Sequence, residues 1–259
     1  MTLELSGKTV LVTRPREQAA ELRSLLEERG AAVLVQPSIA ILPPETWDAV
    51  DAALQSVERR DFDWVLFSSA NGVRFFLERI AAERRARFFA DAQTSVAAVG
   101  PGTAAALDDF GVSVDLVPTK EYNAEGLVDA LRDAETSLDG KRLLSVRASR
   151  GRDVLSKEAA KLGATVREVV AYRSVDVETP DAAILDALRS NRIDFGTVAS
   201  SATAKALARL FGAAITQTRW VALSPLTADA LRSVGVEPAA VAEESTLAKL
   251  VDAVVAAAK

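Results

Sequence analysis

The sequence lacks cysteine and histidine altogether, although it is 259 residues long. Their absence excludes disulfide bonds, thiolate nucleophiles and imidazole bases, and it removes the usual ligands of zinc, haem and iron-sulfur clusters. Aromatic residues are also scarce, at 5%, and only two of them are tyrosines. Few side chains therefore remain that could do acid-base chemistry.

Long hydrophobic runs are absent too. The apolar stretches are interrupted or too short to span a bilayer, and the N-terminus lacks the basic-then-apolar layout of a signal peptide. With 49% hydrophobic and 26% charged residues, the chain is expected to fold as a globular, cytoplasmic protein. Its net charge of −5 argues against a nucleic-acid-binding surface. No pattern indicates an oligomer, so we expect a monomer.

Much of the sequence is present twice. One pattern occurs twice, 133 residues apart (140 − 7 = 133): a Gly-Lys pair, an arginine at the strand end and a glycine after the next helix. The first set is Gly7, Lys8, Arg14 and Gly30, and the second is Gly140, Lys141, Arg147 and Gly163. Two further blocks repeat, FDWVLFSSANGVRFF as IDFGTVASSATAKAL and VAAVGPGTAAALDDFGV as WVALSPLTADALRSVGV. This duplication predicts two similar structural units, and the matching polar groups at their strand ends predict a ligand cleft between them.

Short β-rich runs alternate with amphipathic segments rich in alanine and leucine. TVLVT precedes EQAAELRSLLEERG, for example, and RLLSV precedes RDVLSKEAAKLG. The alternation predicts βαβ units, and therefore parallel sheets covered by helices on both faces. Glycines after the helical segments predict helix ends at Gly30, Gly111, Gly163 and Gly235.

Two segments, residues 31–42 and 164–175, break this rhythm. Each reads as an extended run about twice the usual strand length of ~5 to 6 residues, and the repeat offset relates one to the other. A strand that long is expected to leave one domain and enter the next. We interpret the pair as a two-stranded β bridge formed by residues 37–42 and 169–175.

The resulting prediction is an α/β protein with two doubly wound parallel-sheet domains, produced by internal duplication and joined by that β bridge. One domain is discontinuous and combines residues 1–36 with 176–259, while residues 43–168 form the other. Two sequential domains divided near Asp139 are the alternative.

The residues that follow the predicted strands are hydroxyl residues, glycines and arginines, with one asparagine. In open α/β sheets, ligands bind at these strand ends, because helix N-termini present unpaired N–H groups and a partial positive charge there. Such groups suit carboxylates or phosphates, and none is an obvious nucleophile or base. The candidate ligand-binding residues are Arg14, Ser68, Ser69, Asn71, Gly100, Thr103, Arg147, Arg150, Ser200, Ser201 and Thr227.

Structural roles compete with these assignments. A serine, threonine or asparagine before a helix is most often an N-cap, which needs no ligand. Arg14 and Arg147 indicate a ligand more strongly, because an arginine repeated at a strand end is well placed to reach into a cleft.

Tyr172 is the candidate catalytic residue. It lies on the second bridge segment, in VVAYRSV, and its phenol could donate a proton to a leaving group in a chain without histidine or cysteine. The alternative role is that of an aromatic residue that packs against a domain wall at the hinge.

Six stretches together resemble the uroporphyrinogen-III synthase family over nearly the whole chain. They are GKTVLVTRP, DWVLFSSANGVRFF, VAAVGPGTAAAL, YNAEGLVDAL, RASRGRDVL and VVAYRSV. Their order and spacing carry the resemblance.

The resemblance implies a lyase of tetrapyrrole and heme biosynthesis with a bridged two-domain form. Such an enzyme expels the hydroxyl group of hydroxymethylbilane as water and closes the ring with inversion of the terminal pyrrole. The family reaction is thought to pass through an azafulvene cation and a spiro-pyrrolenine, without metal or cofactor. The partner it implies is this linear tetrapyrrole, with neither nucleic acid nor membrane, and any contact with the preceding biosynthetic enzyme would be transient.

Two other functions are compatible with the same residues. A non-catalytic two-domain anion-binding or sensor module would also use strand-end hydroxyls and arginines. An enzyme that transfers sugar or phosphate is disfavoured, because the chain has no dinucleotide-binding fingerprint and no credible base.

Overall fold

A computed structural model describes residues 3–135, 137–151 and 153–259. Its strands are β1 (Thr9–Val12), β2 (Ala32–Val35), β3 (Ile39–Leu42), β4 (Trp64–Phe67), β5 (Ser95–Ala98), β6 (Arg142–Ala148), β7 (Thr165–Asp176), β8 (Phe195–Val198), β9 (Arg219–Ala222) and β10 (Ala240–Val241). Its helices are α1 (Ala20–Glu28), α2 (Asp48–Glu58), α3 (Ala70–Leu77), α4 (Ala82–Asp91), α5 (Pro101–Asp109), α6 (Ala124–Ala134), α7 (Val154–Lys161), α8 (Ala182–Arg189), α9 (Ser201–Phe211), α10 (Pro225–Arg232) and α11 (Leu247–Ala258).

The chain divides into two compact units, residues 1–41 with 175–259 and residues 42–174. The strand order is β10-β9-β8-β1-β2 in the sheet of the first unit and β3-β7-β6-β4-β5 in the other sheet. The pairs β1–β2, β1–β8, β8–β9 and β9–β10 are parallel in the first sheet, and β4–β5, β4–β6 and β6–β7 are parallel in the other. The predicted α/β fold class is therefore confirmed, with two mostly parallel sheets.

Each unit contains strands from both copies of the sequence repeat. The first unit has the order β2-β1-β8-β9 and the second has β7-β6-β4-β5, so equivalent strands have equivalent neighbours. In the second unit, Leu116 forms an isolated parallel bridge with Ala97 of β5. This bridge corresponds to the pairing of β10 with β9 in the first unit. The duplication thus explains why the two sheets share one topology.

Residues 31–42 do not form the single long strand that the sequence led us to expect. They form β2, which pairs with β1, and β3, which belongs to the other sheet. Pro37 lies between the two strands and has no N–H group with which to continue a strand ladder. The second segment does fold as one strand, β7, of 12 residues. That the two segments act as a bridge between domains stays a prediction.

The predicted glycine stops are confirmed. Gly30, Gly111, Gly163 and Gly235 all have positive φ angles. After α1, for example, the N–H of Gly30 donates to Glu27 O and the N–H of Ala31 donates to Leu26 O. This pair of bonds satisfies carbonyls that the helix end leaves unpaired, and it needs a left-handed residue where glycine carries no steric penalty.

A carboxylate holds two central strands together at the amino end of each sheet. Asp63 accepts hydrogen bonds from the backbone N–H and the guanidinium of Arg142, and Asp194 accepts from the N–H of Thr9. Burial of Asp63 acts to raise the pKa of its carboxyl, but the hydrogen bonds from Arg142 outweigh it and lower that pKa. In each copy of the repeat, an aspartate thus fixes the register between two neighbouring strands.

The core of the first unit is packed around Trp220. Its indole is fully buried, and its Nε1–H donates to Ile215 O at 2.6 Å. Gly196 lies opposite Trp220 on the paired strand, and a Cβ at Gly196 would lie 2.3 Å from a ring carbon. Glycine is therefore required at this position for the indole to fit.

We predict that Gly196→Ala lowers the free energy of unfolding by about 1 to 3 kcal/mol or more, because the new methyl group overpacks the core against a fixed ring. Urea unfolding followed by circular dichroism measures the change. Gly102→Ala is the matched control, since no other described residue comes within 4 Å of a Cβ at Gly102. Equal stability of the two variants would contradict the prediction.

Candidate functional site

A cavity of about 350 Å³ lies at the carboxyl ends of β4 and β6 in the second unit. Of the side chains predicted from the sequence, the cavity brings together Ser68, Ser69, Arg147, Arg150 and Tyr172. Other residues that line it include Val99, Tyr122, Asn123, Ser145, Asp153, Ser156 and Glu168.

Tyr172 is placed in this cavity by an irregularity in β7. Residues two apart on a regular strand share a face, and Val170 is exposed. The register between β6 and β7 shifts after the pair Arg147–Val170, so that Ala148 lies opposite Tyr172. Such a bulge redirects the following side chain. Tyr172 is accordingly only 7% exposed, whereas Val170 is 38% exposed.

Two contacts hold the Tyr172 side chain. Its ring stacks on Phe75 of α3, with ring centroids 5.8 Å apart and planes at 12°. Its hydroxyl lies 3.1 Å from Ser69 Oγ. Tyr172 is therefore packed within its own unit, and it also lines the cavity. Whether it packs at a hinge between domains stays a prediction.

The strand-end serines act as helix N-caps. Ser69 Oγ accepts from the N–H of Gly72, Ser200 Oγ from that of Thr203, and Ser224 Oγ from that of Thr227. The side chains of Thr203 and Thr227 are buried, and their hydroxyls lie 2.9 and 3.0 Å from the capping serine oxygens. The capping role that competes with ligand binding is thus real at each of these helix starts.

Arg147 is engaged in contacts within its own unit. Its guanidinium donates to Glu168 Oε2 at 2.7 Å, to Gly151 O at 3.0 Å and to Ala148 O at 3.3 Å. Ser156 donates a hydrogen bond to the other oxygen of Glu168. Arg147 thereby ties the loop after β6 to β7, and its charge is already balanced by a carboxylate.

Acidic and basic side chains both line the cavity. Among the described lining residues, Arg147 and Arg150 are basic, while Asp153 and Glu168 are acidic. A side-chain hydrogen bond from Lys157 is the largest cause that lowers the pKa of the Asp153 carboxyl. The described part of the lining is therefore polar and carries charges of both signs, and an anionic ligand there would use hydroxyls and N–H groups as well as arginine.

Arg14 differs from its repeat partner Arg147. Its Nε is buried and makes no hydrogen bond within the described parts of the chain. Burial lowers the pKa of the guanidinium, and the nearby charge of Glu21 partly offsets that effect. A buried donor without an acceptor is costly, so Arg14 is the arginine of the pair that is better suited to receive a carboxylate.

The start of α5 is open. Gly100 precedes the helix without a side-chain cap, Pro101 is its first residue, and the space beside Gly102 is free of other described atoms. Gly100 lies against the ring of Tyr122, where a Cβ would come within 3.0 Å of Tyr122 Cβ. Thr103 is buried on the inner side of the helix.

The remaining predicted residues lie outside the cavity. Asn71 is the second residue of α3. Arg14, Ser200, Ser201 and Thr227 belong to the first unit. Ser201 uses its hydroxyl to donate to Leu226 O at 3.2 Å. The predicted residues therefore form two sets, one at the strand ends of each sheet.

Sequence reasoning missed several residues of the cavity. Tyr122 is 55% exposed and directly precedes Asn123, the N-cap of α6. The sequence signal that could have found it is an aromatic residue directly before a helix-capping asparagine. Glu168 gave no signal, because it lies within a strand. Phe75, which does not line the cavity but stacks on Tyr172, gave none either, because it lies within a helix.

Comparison with known proteins identifies the family. The family model described as uroporphyrinogen-III synthase HemD matches residues 20–252. This chain belongs to the uroporphyrinogen-III synthase family. The resemblance in the six sequence stretches is thereby confirmed.

Curated relatives from two organisms support the assignment. The uroporphyrinogen-III synthase of Synechococcus elongatus is 34% identical over 80% of this chain and 75% of its own length. The enzyme of the same name from Chlorobaculum parvum is 30% identical over 89% of this chain and 91% of its own length.

Solved structures of uroporphyrinogen-III synthases share the fold. A mutant enzyme from Thermus thermophilus matches with a TM-score of 0.63 at 20% identity and covers 96% of this chain and 98% of its own. The enzyme from Helicobacter pylori matches with a TM-score of 0.64 at 15% identity and covers 96% and 99%. In the parts of the chain that the structure describes, no helix is long and apolar enough to cross a membrane.

We predict that Arg147→Ala destabilises the protein by about 1 to 3 kcal/mol, because it removes the ion pair with Glu168 and two bonds to loop carbonyls from a largely buried side chain. Urea unfolding measures the change. Arg132→Ala is the matched control, since its contacts with Asp129 and Asp133 are exposed and are worth about 1 kcal/mol or less. If both substitutions cost the same, Arg147 does not hold the loop.

Proposed function

We propose that this protein is a uroporphyrinogen-III synthase that converts hydroxymethylbilane to uroporphyrinogen III, with loss of water and inversion of the terminal pyrrole ring. The observation that carries the proposal is the family match over residues 20–252. The enzyme is a lyase of tetrapyrrole biosynthesis. No observation favours the non-catalytic anion-binding alternative.

The cavity of the second unit suits the reacting end of this substrate. The leaving group is a hydroxyl on a carbon attached to an electron-rich pyrrole, so departure needs only modest acid assistance. Tyr172 is the proposed donor, because its phenol reaches the cavity while its ring is held by Phe75. General acid assistance is typically worth ~10²- to 10⁴-fold in rate, and we expect the lower end because water could substitute.

The bonds rearrange as follows in this proposal. The C–O bond of the hydroxymethyl group breaks, its electron pair leaves with oxygen, and the Tyr172 proton completes a water molecule. The terminal pyrrole attacks the remaining azafulvene cation with its substituted α-carbon and forms the spiro-pyrrolenine. The bond from that carbon to its original bridging carbon then breaks, which leaves a second azafulvene cation. The free α-carbon of the inverted pyrrole attacks this second cation. Ring closure at the final carbon releases one proton, which can return to the Tyr172 phenolate, so the enzyme ends as it began.

The carboxylates of the substrate are the proposed ligands of the strand-end groups. Within the second unit these are Ser68, Asn71, Thr103, Arg150 and the open start of α5 at Gly100. Within the first unit they are Arg14, Ser200, Ser201 and Thr227. Helix N-termini offer N–H groups and partial positive charge to anions. Holding the chain of pyrroles in one conformation favours the spiro route over direct closure.

The cellular context belongs to the same proposal. A polycarboxylate substrate does not cross membranes unaided, so we expect the enzyme to act in the cytoplasm beside the reaction that supplies hydroxymethylbilane. Contact with that preceding enzyme would be transient, and a monomer is sufficient for the chemistry.

The first test is direct conversion. Fresh hydroxymethylbilane should yield mainly isomer III with the protein and isomer I without it, because unassisted ring closure does not invert the terminal pyrrole. Chromatography of the oxidised products separates the two isomers. We expect the rate to survive exhaustive dialysis against a chelator, since the sequence has no histidine or cysteine to hold a metal. Isomer I alone, or activity that returns only with added metal, would contradict the proposal.

The second test concerns Arg14. Arg14→Gln should raise KM for hydroxymethylbilane by roughly 10- to 100-fold, the equivalent of about 1.5 to 3 kcal/mol for a charge-assisted hydrogen bond. It should not reduce thermal stability, because the buried Nε lacks an internal partner. Arg23→Gln is the control, since its ion pair with Glu27 on α1 is exposed. An unchanged KM with a lower melting temperature would assign Arg14 a structural role.

A further inference from the structure

The hydroxyl of Ser69 has an unusual partner. The serines that cap α9 and α10 pair through their oxygens with the threonines at the third helix positions, Thr203 and Thr227. Helix α5 also has a threonine at its third position, Thr103. Only α3, among these four strand-end helices, has glycine there, and the oxygen of its capping Ser69 lies 3.1 Å from the hydroxyl of Tyr172.

We propose that Ser69 is a positioning residue that acts through Tyr172, and that glycine at position 72 leaves the Ser69 hydroxyl available for this role. The inference rests on the proposed function. It gives Ser69 a different role from the direct substrate contact that its place at a strand end predicts.

The direction of the hydrogen bonds follows from what each oxygen must do. Ser69 Oγ accepts from the N–H of Gly72 at 3.1 Å, so it already has one donor from the helix start. If Tyr172 donates its only hydroxyl hydrogen to the leaving group, its oxygen must be the acceptor in the hydrogen bond with Ser69. Ser69 then donates its hydroxyl hydrogen to Tyr172, and the chain runs from Gly72 through Ser69 and Tyr172 to the substrate.

This chain would stabilise the phenolate that forms when the proton leaves. Hydrogen bonds in series strengthen one another, and the start of α3 contributes a partial positive charge. The stacked Phe75 ring fixes the plane of the phenol, while Ser69 fixes the position of its oxygen. Ser69 itself need not touch the substrate.

A hydroxyl group at position 72 is expected to interfere. A Cβ there would lie 3.3 Å from Ser69 Oγ. A serine at this position could pair with Ser69 as Thr203 does with Ser200, and Ser69 would then be drawn away from Tyr172. Gly72→Ser tests this effect and leaves Ser69 and Tyr172 in place, while Gly72→Ala controls for the added carbon.

The experiment is a double-mutant cycle on the full-length protein. Ser69→Ala should lower kcat by about tenfold, as expected for one lost hydrogen bond, with KM within about twofold. Tyr172→Phe should lower kcat further. Combining the two should be no worse than Tyr172→Phe alone, since a residue that acts only through Tyr172 cannot add to its loss. Ser69→Thr should restore the rate, and Gly72→Ser should resemble Ser69→Ala.

A readout without substrate separates this inference from the proposed function. The protein has only two tyrosines, so ring-labelled tyrosine gives two NMR signals, and Tyr122→Phe identifies that of Tyr172. Ser69→Ala and Gly72→Ser should shift the Tyr172 signal, whereas Gly72→Ala should leave it near its original position.

Three results would overturn the inference. Additive losses in the cycle would mean that Ser69 contacts the substrate directly. A normal rate for Ser69→Ala, or a Tyr172 signal that does not respond to it, would mean that the serine only caps α3. If the wild-type protein forms no isomer III, the proposed function fails, and the NMR comparison still decides whether Ser69 holds Tyr172.

Discussion

The parallel pairing of β4, β6 and β7 is the constraint on which the candidate site depends. Parallel strands present their carboxyl ends at one edge of the sheet, and the helices that follow begin there. This pairing brings Ser69 and Tyr172, which are 103 residues apart in sequence, within hydrogen-bond distance. The bulge between β6 and β7 completes the arrangement, because it redirects Tyr172 from the exposed face of the strand towards α3.

The two copies of the repeat share a scaffold but differ in chemistry. At the repeat offset Tyr172 corresponds to Ile39, which has no hydroxyl, and Gly72 corresponds to Thr203 in the aligned blocks. Arg147 is held by Glu168, whereas the Nε of its counterpart Arg14 is buried without a partner in the described chain. Duplication therefore supplied two sets of helix starts suited to anions. Tyr172 lies in the second unit, and the arginine with the unpaired Nε lies in the first.

Prediction from sequence succeeded where local patterns determine structure. Alternating apolar runs and helix-ending glycines predicted parallel α/β sheets. Both signals are local, because the spacing of apolar residues and the left-handed conformation of a glycine depend on a few neighbouring residues. Strand-end residues were recognisable for the same reason, and Ser68, Ser69, Arg147, Arg150 and Tyr172 do line one cavity. The prediction of one long strand over residues 31–42 was wrong. Composition suggested an extended run, but Pro37 interrupts the ladder and the two parts join different sheets.

By itself the sequence determined the duplication, the fold class and, through six ordered motifs, the family. It also determined which chemistry is absent, since side chains that do not occur cannot act. Only the tertiary structure decided how the strand-end groups are used. Residues far away in the chain decide whether a serine hydroxyl meets a threonine or a tyrosine. They also decide whether an arginine pairs with a glutamate, as Arg147 does, or keeps a buried nitrogen without a hydrogen bond in the described chain, as Arg14 does. Those contacts depend on strand order, register and one bulge, which no local pattern specifies.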